Sequence, residues 1–418
     1  MLPKEWKKQA VEDYADLLTG NAFRSEDYVE ARESAIRLLR GDNIIQGSLR
    51  WDDAKHWATP YADALQRYEM QAGDIVLAMD RPIVNAGLKC SVVRQQDLPS
   101  LLVQRVARLR AKKNFDQGYL AQVLQTHRFI EHLRGQKTQT AVPHISPNDI
   151  REFEFPCPIN PAEQRRIAQI LSSWDQAIAT AERLLANSQR CTRDLMASML
   201  SGHRRFAEFS DKWRFVDLNT VFERVTRKNS AQNTNVLTIS GEHGLISQRD
   251  YFNKSIASAN LGGYTLLHRY DFAYNKSYSS GYPMGAIKPL MAYDAGVVSS
   301  LYLCFKLRED VDADFDFFRH YFEAGLLNQE IEGIAQEGAR NHGLLNVSVT
   351  DFFKLKLHIP TAPEQRRISE VINVARSEEA RLQAQVQALR QEKSALMSQL
   401  LTGRRRVKLP DTETEVQA

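Results

Sequence analysis

The chain is nearly devoid of cysteine: four in 418 residues, Cys90, Cys157, Cys191 and Cys304, with no Cys-x-x-Cys pair among them. Such spacing argues against a disulfide framework or a zinc site and suits a reducing compartment. No run approaches the roughly 20 apolar residues that a bilayer-crossing helix needs. Met1-Leu2-Pro3-Lys4-Glu5-Trp6 has no apolar segment of the kind found in a secretory signal. The expectation is a cytoplasmic protein with no membrane partner. A large excess of one charge is missing too. The net charge of +4 permits nucleic-acid binding without requiring it, so the placement of charge carries the argument.

The motifs of catalysis are equally scarce. There is no Gly-Lys dipeptide, hence no Walker phosphate loop, and no His-Glu-x-x-His. No Asn-Pro-Pro-Tyr is present to grip a flipped adenine, and no glycine-rich loop suits S-adenosylmethionine. Gly262-Gly263 reads as a turn, and the ten histidines stand without a nucleophile or carboxylate at motif spacing. The expectation is a chain with no catalytic residue, no metal ligands and no cofactor of its own.

What the chain does have is repetition, the feature to seek first. Glu163-Gln164-Arg165-Arg166-Ile167 recurs as Glu364-Gln365-Arg366-Arg367-Ile368, an offset of 201 positions. Without a gap, the same offset superimposes Leu195-Met196 on Leu396-Met397, Leu200 on Leu401, Gly202 on Gly403 and Arg204-Arg205 on Arg405-Arg406. Between these landmarks apolar residues alternate at steps of four and three. The first series is Ile167, Leu171, Trp174, Ile178, Ala181, Leu185, Ser188, Thr192, Leu195 and Met199. The second is Ile368, Ile372, Ala375, Glu379, Leu382, Val386, Leu389, Lys393, Leu396 and Leu400. Each predicts a long amphipathic helix with a coiled-coil seam, interrupted by Ser188, Thr192, Glu379 and Lys393. Pro161 and Pro363 mark the starts and Gly202 and Gly403 the C-caps, giving ~60 Å of helix apiece at about 1.5 Å per residue.

The repeat continues, more faintly, into the segments between. Lys4-Glu5-Trp6 parallels Asp211-Lys212-Trp213, and the strand Gly73-Asp74-Ile75-Val76-Leu77 parallels Tyr270-Asp271-Phe272-Ala273-Tyr274. Leu101 to Leu109 and Leu301 to Leu307 read as further strands. Single helices are expected over Tyr119 to Leu133 and Phe315 to Ile334. A polar, Gly-containing loop follows in each half, then Ser-x-x-Asp, a helix-start signal (Ser146 to Asp149, Ser348 to Asp351). The expected fold is two α/β (α+β) globular domains separated by two long helices. Paired antiparallel, the helices would form a coiled coil with pseudo-two-fold symmetry and hold the globular parts at opposite ends. The expected spans are 1–155 and 207–357 for the globular domains, 156–206 and 358–408 for the helical regions, and 409–418 for a polar tail.

This pattern resembles the specificity subunits of type I restriction-modification systems over essentially the whole chain. The resemblance rests on Pro161 to Ile167, on Leu200 to Arg205 and Leu401 to Arg406, on the Gly-Asp-Ile strand beginning at Gly73, and on His144-Ile145-Ser146. The second half departs slightly, with a shifted proline at Pro363 and Asn346-Val347-Ser348 where the first has His-Ile-Ser. The resemblance implies two target-recognition domains, each reading one half of a split double-stranded DNA sequence. It implies helices that set the gap and dock two methyltransferase subunits, with restriction subunits as further partners. S-adenosylmethionine, ATP and Mg would then sit on those partners. Two readings stay open beside it: a stand-alone DNA methyltransferase or nuclease with unusual motifs, and a coiled-coil adaptor that binds only protein.

DNA contact calls for Lys and Arg at phosphates and Arg, Lys, Asn or Gln at base edges. Two polar loops at equivalent places supply them: Lys137 and Gln139, running on to His144, and Arg340, Asn341 and His342. A second group follows the paired strands: Arg81, Lys89 and Arg94 in the first half, Lys276 and Tyr278 in the second. Solvated loops and surface salt bridges explain either group almost as well. The basic runs His203-Arg204-Arg205 and Arg404-Arg405-Arg406 are assigned to the helix dipole, at about 0.3–1 kcal/mol per cation, and to partner docking.

Overall fold

A computed structural model describes residues 2–32, 34–84, 87–135, 144–241, 244–252, 261–279, 281–337 and 345–409. Contacts divide the chain into two units: Met1–Glu182 with Ala384–Ala418, and Arg183–Gln383. Two helices pass from one unit into the other, the central helix Pro161–Leu200 and the C-terminal helix Ala362–Leu400.

The first unit contains β1 (Trp6–Ala10), β2 (Ala15–Thr19), β3 (Ile75–Ala78), β4 (Cys90–Val92), β5 (Val106–Ala111) and β6 (Glu154–Pro158). Its helices include α1 (Gln117–Val123), α2 (His127–Gly135) and α3 (Pro147–Arg151). Four strands form an antiparallel sheet in the order β2-β5-β3-β4, with Leu109 opposite both Leu17 and Ile75. All four residues of β3 are buried, because both faces of the sheet are covered. Leu77, Leu109, Tyr119, Phe129 and Phe155 join one core with Ile167 and Leu171 of the central helix and Leu400 of the C-terminal helix. β1 pairs separately with β6.

The second unit has β7 (Arg214–Asp217), β8 (Phe222–Arg224), β9 (Phe272–Asn275), β10 (Ala286–Pro289), β11 (Leu303–Leu307) and β12 (Lys356–Ile359). Its helices include α4 (Phe315–Glu323), α5 (Asn328–Ile334) and α6 (Val349–Phe352). The sheet order β8-β11-β9-β10, antiparallel throughout, repeats that of the first unit strand for strand, and β7 pairs with β12 as β1 does with β6. Its core is dominated by phenylalanine, including Phe222, Phe272, Phe305, Phe317 and Phe352. The periphery differs. A three-stranded sheet (Ser100–Leu102, Ala35–Leu39, Lys55–Ala58) belongs to the first unit, whereas two two-stranded ladders, 237–240 with 244–247 and 265–268 with 295–298, belong to the second.

Three expectations are corrected. The strand expected over Leu101 to Leu109 is two strands in different sheets, because Arg105 at φ 63° turns the chain between them. The helix expected over Tyr119 to Leu133 is α1 and α2, with Thr126 closing one turn and accepting from Phe129 N to open the next. Likewise Phe315 to Ile334 is α4 and α5, broken at Gly325, whose φ of 71° a helix does not allow. The Ser-x-x-Asp signals do begin helices: Ser146 and Ser348 accept from the amides of Asp149 and Asp351. Gly202 and Gly403 take φ of 79° and 72° past the helix ends.

Candidate nucleic-acid interface and its supports

The repeated motif forms a joint between each globular part and its helices. In the first unit Gln164 Nε2 donates to Pro158 O (2.8 Å), and its Oε1 accepts from Asp116 N (2.9 Å). Asp116 caps α1 by accepting from Tyr119 N. In the second unit Gln365 does the same with Pro360 O (3.0 Å) and Asp314 N (2.9 Å), and Asp314 caps α4. The neighbouring glutamates are engaged as strictly. Arg406 holds Glu163 in a two-pronged pair at 2.6 and 2.8 Å, and Arg205 holds Glu364 at 2.8 and 2.7 Å. The Glu364 side chain is fully buried and that of Glu163 is 4% exposed, so both guanidiniums neutralise charges removed from water. Arg205 and Arg406 thus have specific structural partners, which the dipole argument did not supply. Trp213 lies against Gly202, and Trp6 with Pro3 against Gly403, so the paired tryptophans close the helix ends.

Among the seam positions, Ile167, Leu171, Met199, Ile368, Ile372, Leu382, Val386 and Leu400 are buried. Trp174, Ile178, Leu185, Leu195, Leu389 and Leu396 are half-buried. Of the polar interruptions, Lys393 is buried and pairs with Asp175 (2.6 Å), which also accepts from Gln122 of α1 (2.8 Å). In the first unit the long helices touch through Asp175–Lys393 and Glu182–Arg390, in the second through Met196–Arg376. In the first unit the number on one helix rises as that on the other falls.

Of the residues singled out for DNA contact, Lys137, Gln139, Arg340, Asn341 and His342 lie outside the described residues. The flanks of their loops are described, and they end at equivalent places. Ile145 N donates to Met79 O just past β3, and Leu345 N donates to Lys276 O just past β9. The loop ends and the post-strand group therefore converge: His144 with Arg81 and Lys89 in the first unit, Lys276 and the exposed Tyr278 in the second. Arg94 does not join them. The β3–β4 ladder pairs Val92 with Ile75 and Cys90 with Leu77, which puts Arg94 at the opposite end of the hairpin from Lys89.

His144 Nδ1 lies 3.2 Å from Asp80, which also binds Arg105 at 2.6 Å. Burial would raise the Asp80 pKa, but the hydrogen bonds to Arg105 and His144 prevail and lower it. Lys89 is half-buried, and burial lowers its pKa. Arg81 and Arg50 add to the effect, and Asp42 and Asp80 oppose it. Arg50 and Arg105 were missed in the sequence because each comes from a different loop; only folding brings them near residues 81, 89 and 144. An open basin of about 900 Å³ is lined by Tyr28, Arg40, Trp51, Lys55 and His56 among others. Among the described residues no group of three or more His, Cys, Asp or Glu could hold a metal, and no helix is long and apolar enough to cross a membrane.

Residues 3–187 match the model of the type I restriction modification DNA specificity domain. The specificity subunit of the type I restriction enzyme EcoAI from Escherichia coli is 34% identical over 184 residues, 44% of this chain and 30% of that protein. The MjaVIII specificity subunit of Methanocaldococcus jannaschii is 26% identical over 205 residues, 49% of this chain and 47% of the relative. The matched stretch thus spans less than half the length of either. Fold similarity extends further. The S subunit of a type I restriction-modification system from M. genitalium matches with a TM-score of 0.57 at 13% identity, over 97% of both chains. A chain from a study of complex assembly and conformational transition of the type I R-M system matches at 0.56 and 14%, over 96% of this chain and 99% of that one. Residues 3–187 thus resemble the specificity domain of type I restriction-modification systems, and the fold as a whole is similar to that of S subunits from such systems.

Proposed function

We infer that this chain is a two-headed, sequence-specific DNA reader without chemistry of its own, working in the cytoplasm within a type I restriction-modification assembly. One observation carries the reading: both units repeat one sheet order, one pair of capping aspartates and one Glu–Arg joint. Two copies of one device suit a target written in two parts. Each head reads one half-site through the strand-end loops, His144 with Arg81 and Lys89 in one, Lys276 and Tyr278 with the 338–344 segment in the other. The two helices form an antiparallel coiled coil with pseudo-two-fold symmetry; the falling and rising contact pairs support that arrangement. A stiff rod serves because the reading heads must keep step with a DNA repeat of about 34–36 Å per turn. Two methyltransferase subunits dock on the helical regions and supply methyl transfer with S-adenosylmethionine. Restriction subunits supply ATP- and Mg-dependent cleavage.

The test is a paired substitution, Arg340→Ala with Asn341→Ala. The methylated motif should relax in one half-site and keep the other. An unchanged motif would remove that loop from the reading surface.

A further inference from the structure

Four cations, Arg50, Arg81, Lys89 and Arg105, gather with His144 at one end of the first unit's sheet. Two carboxylates, Asp42 and Asp80, act on Lys89. Asp80 is shared between Arg105 and His144, and Asp42 already pairs with Arg40 at 3.4 Å. Among the described residues Arg50, Arg81 and Lys89 have no ion-pair partner. Lys89 is half-buried with Arg50 and Arg81 as neighbours, and Asp42 and Asp80 offset its burial only in part, since its pKa is still lowered. Two of the arginines are also held in the left-handed region, Arg81 at φ 42° and Arg105 at φ 63°, a conformation that side-chain-bearing residues adopt at a cost of about 1–2 kcal/mol. The fold holds like charges together.

The geometry points to this cluster as a clamp for the DNA phosphate backbone, seating the first head on the duplex. The inference rests on the DNA-reading function above. Phosphate suits the cluster because it presents donors and positive charge almost alone, and phosphate oxygens only accept. A guanine edge, N7 and O6, also only accepts, so it is the salt series and the comparison of duplexes that separate phosphate from base contact. The corresponding point of the second unit has Lys276 and the exposed Tyr278 and no comparable cluster among its described residues.

The test uses the full chain with its methyltransferase partner, measuring affinity for a target duplex and an unrelated duplex across a salt series. Arg50→Ala with Arg105→Ala should weaken both duplexes by the same factor. It should also make the slope of log K against log salt shallower by about 1.8, roughly 0.9 for each cation removed from a phosphate. Arg50→Lys should keep the slope, since a phosphate accepts a point charge; the Arg50 side chain has no ion-pair partner among the described residues, so neither change at that position breaks a pair that holds the fold. Unchanged affinity and slope in the double variant would overturn the clamp. So would a weakening confined to the target duplex at constant slope, which would make these residues base readers. If the unaltered complex failed to prefer the target, the DNA-reading function itself would fall, a result distinct from either.

Discussion

Single side chains decide how firmly each head sits on its helices. Glu364 is fully buried, and Arg205 is its counter-ion. Arg205→Ala leaves that carboxylate uncompensated and should destabilise the second unit by about 3–5 kcal/mol, read as a lower urea midpoint. Arg205→Ala with Glu364→Leu should recover most of the loss. His320 offers a pH test. Burial lowers its pKa from the ordinary 6.5; Asn373 and Asp316 oppose this, and Arg319 and Arg376 reinforce it. Its ring sits 2.7 Å from Asn373 Oδ1. The unfolded chain takes up the proton first, so stability should fall as pH drops from about 6.5 through the lower folded value, and the fall should shrink in His320→Gln. These roles were only half legible in sequence. The Glu-Gln motif announced itself by recurrence, but that its Glu binds an arginine beyond the end of the other helix is a fact of folding. Arg50 and Arg105 gave no signal, since residues from unrelated loops share no spacing.

At the scale of elements, the long helices were the most legible part of the chain, because a period sustained over 40 residues leaves little room for another structure. The strand and helix breaks were hidden: Arg105 adopts positive φ without being glycine, and Gly325 sits inside an otherwise helical pattern. The seam itself is open to test. Lys393 is buried against Asp175, so Asp175→Ala should destabilise by stranding the lysine, whereas Lys393→Met should be tolerated or stabilising. Equal losses from both would mean that the pair contributes net stability. A four-residue insertion near Leu185 introduces a stutter. The expected result is an altered gap in the methylated motif or loss of assembly, and normal activity at the old spacing would contradict the ruler.

At the scale of the whole molecule, the duplication ties sequence to function. An offset legible in the letters reappears as matched sheets, caps and joints, while the surroundings of those sheets differ between the units. That division suits the proposed function, in which the shared parts would hold position and the divergent parts would choose the half-site. Which bases they choose is not legible, because base contact depends on loop conformation rather than on any period in the sequence. The most direct measurement is the methylation map of a methylation-free host carrying this gene with its methyltransferase partner. The account predicts a split motif with one methylated adenine per strand, absent when this chain is omitted. A purified complex that leaves no new methylated motif would contradict it.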